Sequence, residues 1–180
     1  MKYSMRGNVD PFIVMDVMEN ARKAEEGGRK IIHMEVGQPS TAAPSDALER
    51  TSQIIKSNPL GYTVALGLPE LRKKISDLYG RWYNLDLDPS RVIITSGSSG
   101  AFILSFTALF EEGARVGIGA PGYPSYRQIL KSLGISPVDI MTNFENKFQP
   151  TAKDVVSQNL DGLLVASPSN PTGTMLSKDE

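Results

Sequence analysis

Three short segments of this chain carry residue types that could do chemistry together. In the first, Ser96-Gly97-Ser98-Ser99-Gly100 stands between a strand-like apolar run and a helix-like one. Small residues let the backbone approach a ligand, the first N–H groups of a helix point outward, and the hydroxyls of Ser98 and Ser99 add donors. That set suits an anion, a phosphate above all. A glycine-permitted tight turn without a ligand would have the same composition. The second segment, Ala120-Pro121-Gly122-Tyr123-Pro124-Ser125-Tyr126, sets an aromatic ring between two prolines. Fixed backbone on both sides of Tyr123 suits a ring that stacks on a flat ligand, or equally a tyrosine packed over a helix start. The third, Ser167-Pro168-Ser169-Asn170-Pro171-Thr172-Gly173-Thr174, offers the Asn170 amide to a ligand oxygen in residues that are also ordinary turn vocabulary.

Several sharper motifs fail on spacing. No Gly-x-x-x-x-Gly-Lys-Ser/Thr occurs, which excludes a nucleoside-triphosphate loop. The dinucleotide fingerprint lacks its first glycine, and the next strand ends in Gly119 rather than in an acid for ribose. A nucleophile elbow needs Gly-x-Ser-x-Gly, whereas this loop reads Gly-Ser-Ser-Gly with no histidine after it. A phosphate on a non-nucleotide cofactor survives.

Composition narrows the chemistry further. The 180 residues contain no cysteine and one histidine, His33. Disulfides, zinc-thiolate sites, iron–sulfur clusters and thiol nucleophiles are thereby excluded, no metal site is expected, and a Ser-His-Asp hydrolase has little room. Nineteen basic against twenty acidic residues give a net charge of −1, so no basic field draws nucleic acid. No apolar stretch approaches the ~18 residues of a membrane helix, and no secretory signal opens the chain, so a cytoplasmic location is expected. At 40% hydrophobic and 22% charged residues the chain has the make-up of a globular domain. Chemistry here must come from a bound cofactor, from backbone donors, or from Lys, Tyr and carboxylates.

The elements that would position the three segments follow from periodicity. Asp10-Pro11 reads as N-cap and first turn of a helix stopping at Gly27-Gly28, with Val14, Val17, Met18, Ala21 and Ala24 at helical spacing. Residues 31–36 alternate as a short strand, Ser45 caps a helix to about Lys56, and Leu71, Ile75, Leu78 and Trp82 mark one helix face. From residue 91 strand and helix alternate four times. Strands are expected over 91–95, 115–119, 136–141 and 162–167, and helices over 101–110, 123–133 and 152–159. This predicts an α/β fold with a mostly parallel sheet and helices on both faces, ligands sitting beyond the carboxyl ends of the strands. His33 is expected to be a partly buried structural residue, Trp82 a core residue, Lys73-Lys74 a solvated face, and Met15 and Met18 filler on an apolar stripe.

Taken in order, Val36-Gly37-Gln38-Pro39, Gly61-Tyr62-Thr63 with Gly67-Leu68-Pro69-Glu70-Leu71-Arg72, Thr95 to Ala101, Pro121-Gly122-Tyr123-Pro124 and Asn170-Pro171-Thr172-Gly173 resemble the class I/II aminotransferases. These are pyridoxal-phosphate enzymes of the aspartate aminotransferase fold, fold type I. The resemblance covers essentially the whole chain. It implies that Gly97, Ser98 and Ser99 form a cup for the cofactor phosphate and that Tyr123 stacks on the pyridine ring. It further implies that Asn170 donates to the ring's phenolic oxygen, that Tyr62 reaches the cofactor phosphate of a neighbouring subunit, and that the Gly37 backbone meets the substrate carboxylate. A homodimer acting on an amino acid and a 2-oxo acid is implied, with no nucleic-acid or membrane partner. Other fold-type I reactions (β-elimination, decarboxylation, a regulator's ligand-binding domain) stay open, as does a non-catalytic phosphate-binding or dimerisation module.

The family's Schiff-base lysine, the acid facing the pyridine nitrogen and the arginine for the substrate carboxylate lie downstream of the Asn-Pro-Thr-Gly loop. No catalytic residue is therefore assigned within this chain, which is expected to be an inactive N-terminal fragment. Residues 1–45 would be an N-terminal helix-and-strand segment of the arm and small domain, and 46–180 the truncated start of the large cofactor-binding domain. Lys178 comes only a few residues after the loop, and Ser177-Lys178-Asp179-Glu180 reads as a capping box. Strand 91–95 should lack its sheet neighbours, while the strands ending at Gly119, Met141 and Ser167 should adjoin and leave exposed edges.

Overall fold

The computed structural model describes residues 3–180, which divide into two compact units. One comprises Val14–Thr95; the other joins the N-terminal residues through Ile13 to Ser96–Glu180.

The first unit contains helices α1 (Ile13–Glu26), α2 (Ser45–Ser57) and α3 (Pro69–Tyr83). Surface ion pairs lace α1: Arg22 meets Glu19 at 2.8 Å and Glu26 at 2.5 Å, contacts worth a few tenths of a kcal/mol each. The helix starts at Ile13 rather than at the expected Asp10-Pro11, because the Asp10 carboxylate is bound to Lys131 Nζ at 2.5 Å. It stops as expected at Gly27-Gly28, whose N–H groups reach the carbonyls of Lys23 and Glu25. Proline opens α3, and Asn84 closes it in the left-handed region with φ 52°. From α3, Arg72 donates to the carbonyls of Val92 and Pro89, both at 2.8 Å, and Ser76 Oγ donates to that of Leu87.

Two strands expected in this unit do not form. Residues 31–36 are irregular, and Pro89–Arg91 is a 3₁₀ turn leading into 92–95, which joins no sheet among the described residues. A strand needs a neighbour for its ladder, and here the polar groups go elsewhere. Ile94 N–H bonds to the Leu66 carbonyl, and the Val92 carbonyl is taken by Arg72. Two side chains also depart from expectation. Trp82 is 68% exposed and meets Tyr83 edge-on instead of entering a core. His33 is exposed as well, its ring held between Glu35 (2.7 Å) and Glu25 (3.0 Å).

The second unit continues with α4 (Gly97–Leu109), β1 (Arg115–Ala120), α5 (Pro124–Ser132), β2 (Ser136–Met141), α6 (Ala152–Val156) and β3 (Gly162–Leu164). This is an α/β arrangement with a three-stranded parallel sheet in the order β2-β1-β3. Register runs from Arg115 opposite Ser136 to Ala120 opposite Met141 on one side, and from Val116 opposite Gly162 to Ile118 opposite Leu164 on the other. The expected neighbours adjoin, and β3 pairs with β1 rather than with residues 91–95. Sheet and helices stop short of their predicted ends: β3 at Leu164 and α6 at Val156. A capping box fixes the start of α6, with Thr151 Oγ1 and N–H both on the Asp154 carboxylate. The core joins Val116 and Ile118 of the central strand to Phe106, Leu130 and Ile135, with Phe102, Phe110 and Leu164 packed around them. Among the described residues, no helix is long and apolar enough to cross a membrane.

His33 gives a measurable consequence. Hydrogen bonds to Glu35 and then Glu25 favour its charged form and raise its pKa above the ordinary histidine value. The stabilisation is complete below the unfolded value and is lost as pH rises through the raised folded value. Because the chain has one histidine, an NMR pH titration of the ring protons reads it without ambiguity. The midpoint should fall on changing Glu35→Gln; an unchanged midpoint would show that the pairing does not persist in solution.

Candidate functional site

The three segments singled out in the sequence all belong to the second unit. The first is the opening turn of α4, with Ser96 as N-cap and Gly97, Ser98 and Ser99 as the first helical residues. Gly97 has φ +74°, and a Cβ built on it meets nothing within 4 Å, so conformation rather than space requires glycine there. Ser96 makes no side-chain cap bond, and Ser98 and Ser99 are exposed. Their N–H groups head the helix at the positive end of its dipole, and their hydroxyls stand beside them. This is the donor set for an anion.

The second segment leaves the carboxyl end of β1. Gly122 passes so close to the Gly119 carbonyl that a Cβ would lie 2.4 Å from its oxygen, which turns the chain sharply into α5. Tyr123 is the N-cap residue of α5, followed by Pro124. Its ring packs edge-on against Tyr126 at 5.3 Å and Phe12 at 6.4 Å, and Tyr126 in turn meets Phe102 of α4 at 4.9 Å. A continuous aromatic path thus joins Tyr123 to the helix whose first turn carries Ser98 and Ser99. Burial, and next the proximity of Tyr123, push the Tyr126 hydroxyl pKa up, so it stays a neutral donor.

The third segment follows β3 and closes on itself. Ser169 N–H donates to the Thr174 carbonyl at 2.9 Å, Gly173 N–H to the Ser169 carbonyl at 2.8 Å, and Leu176 N–H to Ser167 Oγ at 3.0 Å. The bonds preceding Pro121, Pro168 and Pro171 are cis. Asn170 lines a narrow cleft with Gly119, Gly122, Tyr126, Gln149 and Ser169, so the second and third segments meet directly beyond the strand ends.

The two other predicted residues lie in the Val14–Thr95 unit. Tyr62 is fully exposed on the irregular stretch between α2 and α3, and Gly37 directly follows the bend at Glu35-Val36 with open space around it. Ser177 and Glu180 form the predicted capping box: Ser177 N–H donates to the Glu180 carboxylate at 2.8 Å, and Glu180 N–H to Ser177 Oγ at 3.4 Å. Sequence reasoning gave no role to Tyr126, Phe12 or Gln149. Tyr126 stands three residues after Tyr123, a helical spacing that signals a shared face. Gln149 carries no local signal, because its partners are 17 and 25 residues downstream. Among the described residues no cluster of His, Asp and Glu could hold a metal ion.

Residues 29–180 match the family model for aminotransferases of class I and II. Valine–pyruvate aminotransferase of Mycobacterium tuberculosis is 41% identical over 99% of this chain and 47% of its own. The crystal structure of an aminotransferase from the same organism superposes with a TM-score of 0.94 at 41% identity, over all of this chain and 47% of that one. A solved structure from Silicibacter pomeroyi is 59% identical with a TM-score of 0.88, over 99% of this chain and 46% of its own. The chain thus spans about half the length of the curated relatives it matches.

Changing Gly97→Ala should cost about 1–2 kcal/mol, the price of a left-handed conformation for a residue with Cβ. Chemical denaturation should show this loss, and an unchanged midpoint would mean that Gly97 is free to leave its positive φ.

Proposed function

This chain belongs to the class I and II aminotransferase family, and from that membership we propose that its parent protein transfers an amino group between an amino acid and a 2-oxo acid using pyridoxal phosphate. The observation that carries this reading is the meeting of Tyr123 and Asn170 segments beyond the sheet's carboxyl ends, linked through Tyr126 and Phe102 to the anion-binding turn of α4. The donor set fits a phosphorylated aromatic cofactor: paired hydroxyls at a helix N-terminus, an aromatic ring held by its neighbours, and an amide on a closed loop.

Gly97, Ser98 and Ser99 would hold the phosphate, and Tyr123 would lie on the ring face. Asn170 would donate to the phenolic oxygen, and the Gly37 backbone would receive the substrate carboxylate. The exposure of Tyr62 suits a residue reaching the phosphate held by a second subunit, so a homodimer is part of the reading. When bound, the cofactor supplies the electron sink that lets the α-proton of the amino acid leave. The chain's own task is to bind and orient it. Residues 1–45 would belong to the arm and small domain, and 46–180 to the large domain. A cysteine-free sequence suits a reducing, cytoplasmic setting. A polypeptide of residues 1–180 alone would not transaminate, because none of its lysines stands where the family places the Schiff-base lysine. Lys178 lies inside the Ser177–Glu180 capping box.

Two measurements test this. In the full-length protein, each of Ser98→Ala and Ser99→Ala should weaken pyridoxal-phosphate affinity about tenfold, the effect of one hydrogen bond to a charged group. Unchanged affinity in the double variant would sink the assignment of the phosphate cup. Borohydride reduction of residues 1–180 with the cofactor should give no stoichiometric adduct on a single lysine, and such an adduct would overturn the claim of inactivity.

A further inference from the structure

We propose that Gln149 is a positioning residue for Asn170, an inference that rests on the role given to Asn170 above. Gln149 is a polar side chain that is only 4% exposed, on the segment between β2 and α6. Its Nε2 lies 3.2 Å from the Ala166 carbonyl oxygen, 3.0 Å from that of Thr174 and 3.3 Å from Thr174 Oγ1. One amide therefore grips the chain on both sides of the Asn170 loop, before Ser167 and after Gly173. An amide group carries two N–H donors, and both find acceptors in this arrangement. Burying such a group is favourable only when it is bonded, so the position of Gln149 and the closure of the loop form one arrangement.

The loop's own bonds join Ser169 to Thr174 and Gly173, Thr172 to Thr174, and Ser167 to Leu176, and none of these reaches Ala166. Gln149 comes from outside the loop and lines the same cleft as Asn170. It is itself held by a tight turn, in which Phe148 N–H donates to the Asn143 carbonyl at 2.7 Å and Gln149 N–H to that of Asn146 at 3.0 Å. Lys147 and Phe148 both take positive φ there, which aims the next side chain inward. The direction of the Asn170 amide is thus set by a residue whose own backbone is fixed by the 143–149 turn.

A donor to the phenolic oxygen favours its anionic form and holds the pH midpoint of the bound cofactor's visible absorbance change low. In the full-length protein loaded with pyridoxal phosphate, Asn170→Ala should raise that midpoint. Gln149→Met, close in shape but without donors, should raise it in the same direction by about half a pH unit. A role in packing alone would leave Q149M at the wild-type midpoint. An unshifted N170A overturns the role of Asn170 and the proposal with it. A shifted N170A beside an unshifted Q149M overturns the proposal about Gln149 alone. Should Q149M not fold, Thr174→Val is isosteric at a half-buried position and removes one acceptor of the Gln149 amide together with the Thr172–Thr174 hydroxyl contact, whereas Thr172→Val removes that contact alone. T174V should give a smaller rise and T172V none, and a T174V midpoint no higher than that of T172V would overturn the proposal.

Discussion

The second unit depends on the placement of β1 between β2 and β3. Val116 and Ile118 of this strand are almost fully buried against Leu130, Phe106 and Ile135, while its edges are hydrogen-bonded on both sides. Parallel pairing gives all three strands one direction, so their carboxyl ends deliver Pro121–Tyr126 and Ser167–Thr174 to the same place. A strand reversed or shifted by one residue would turn the apolar side chains of β1 out of the core, so burial enforces the register on which the site relies. The cleft containing Asn170 follows from that pairing, and the Gln149 side chain ties the loops together there.

Positioning beyond the sheet is the work of side chains that a motif search passes over. Tyr126 bridges Phe102 and Tyr123, and edge-to-face contacts of this kind contribute about 0.5–1.5 kcal/mol each beyond their buried area. They also restrict ring rotation, which matters more than the energy does for the stacking role proposed for Tyr123. Phe12, carried on a segment tied to α5 through Asp10 and Lys131, closes the other edge of Tyr123. The Tyr123 ring is thus held from two sides by residues of this chain.

What was legible in the sequence follows the range of the forces involved. β1, β2, α5 and the capping box at Ser177 rest on local pattern, and each is present. The opening turn of α4 was legible because glycine and serine before an apolar helical run have a direct backbone meaning. Residues 31–36 and 91–95 carry the composition of strands, yet composition supplies only willingness. A ladder also needs a partner strand, and the one sheet among the described residues includes neither segment, the Ile94 N–H going to the Leu66 carbonyl instead. Trp82 shows the same limit for helices. Its spacing with Leu71, Ile75 and Leu78 is right, but a face is buried only where something packs on it. Gln149 was invisible for the opposite reason, since every atom its side chain binds is remote in sequence.

Exposed apolar surface makes these departures one phenomenon. Ile103, Leu104 and Leu109 lie open on α4, a helix hydrophobic on every side, and α1, α2 and α3 bury no residue fully. A helix of α4's composition is ordinarily buried on all its faces. In the proposed reading the other half of the length of the relatives, together with a second subunit, supplies the cover. The open faces of α4 and the exposed Tyr62 are then surfaces for those partners, while the β1-centred core and the Gln149 clasp are formed by residues of this chain alone.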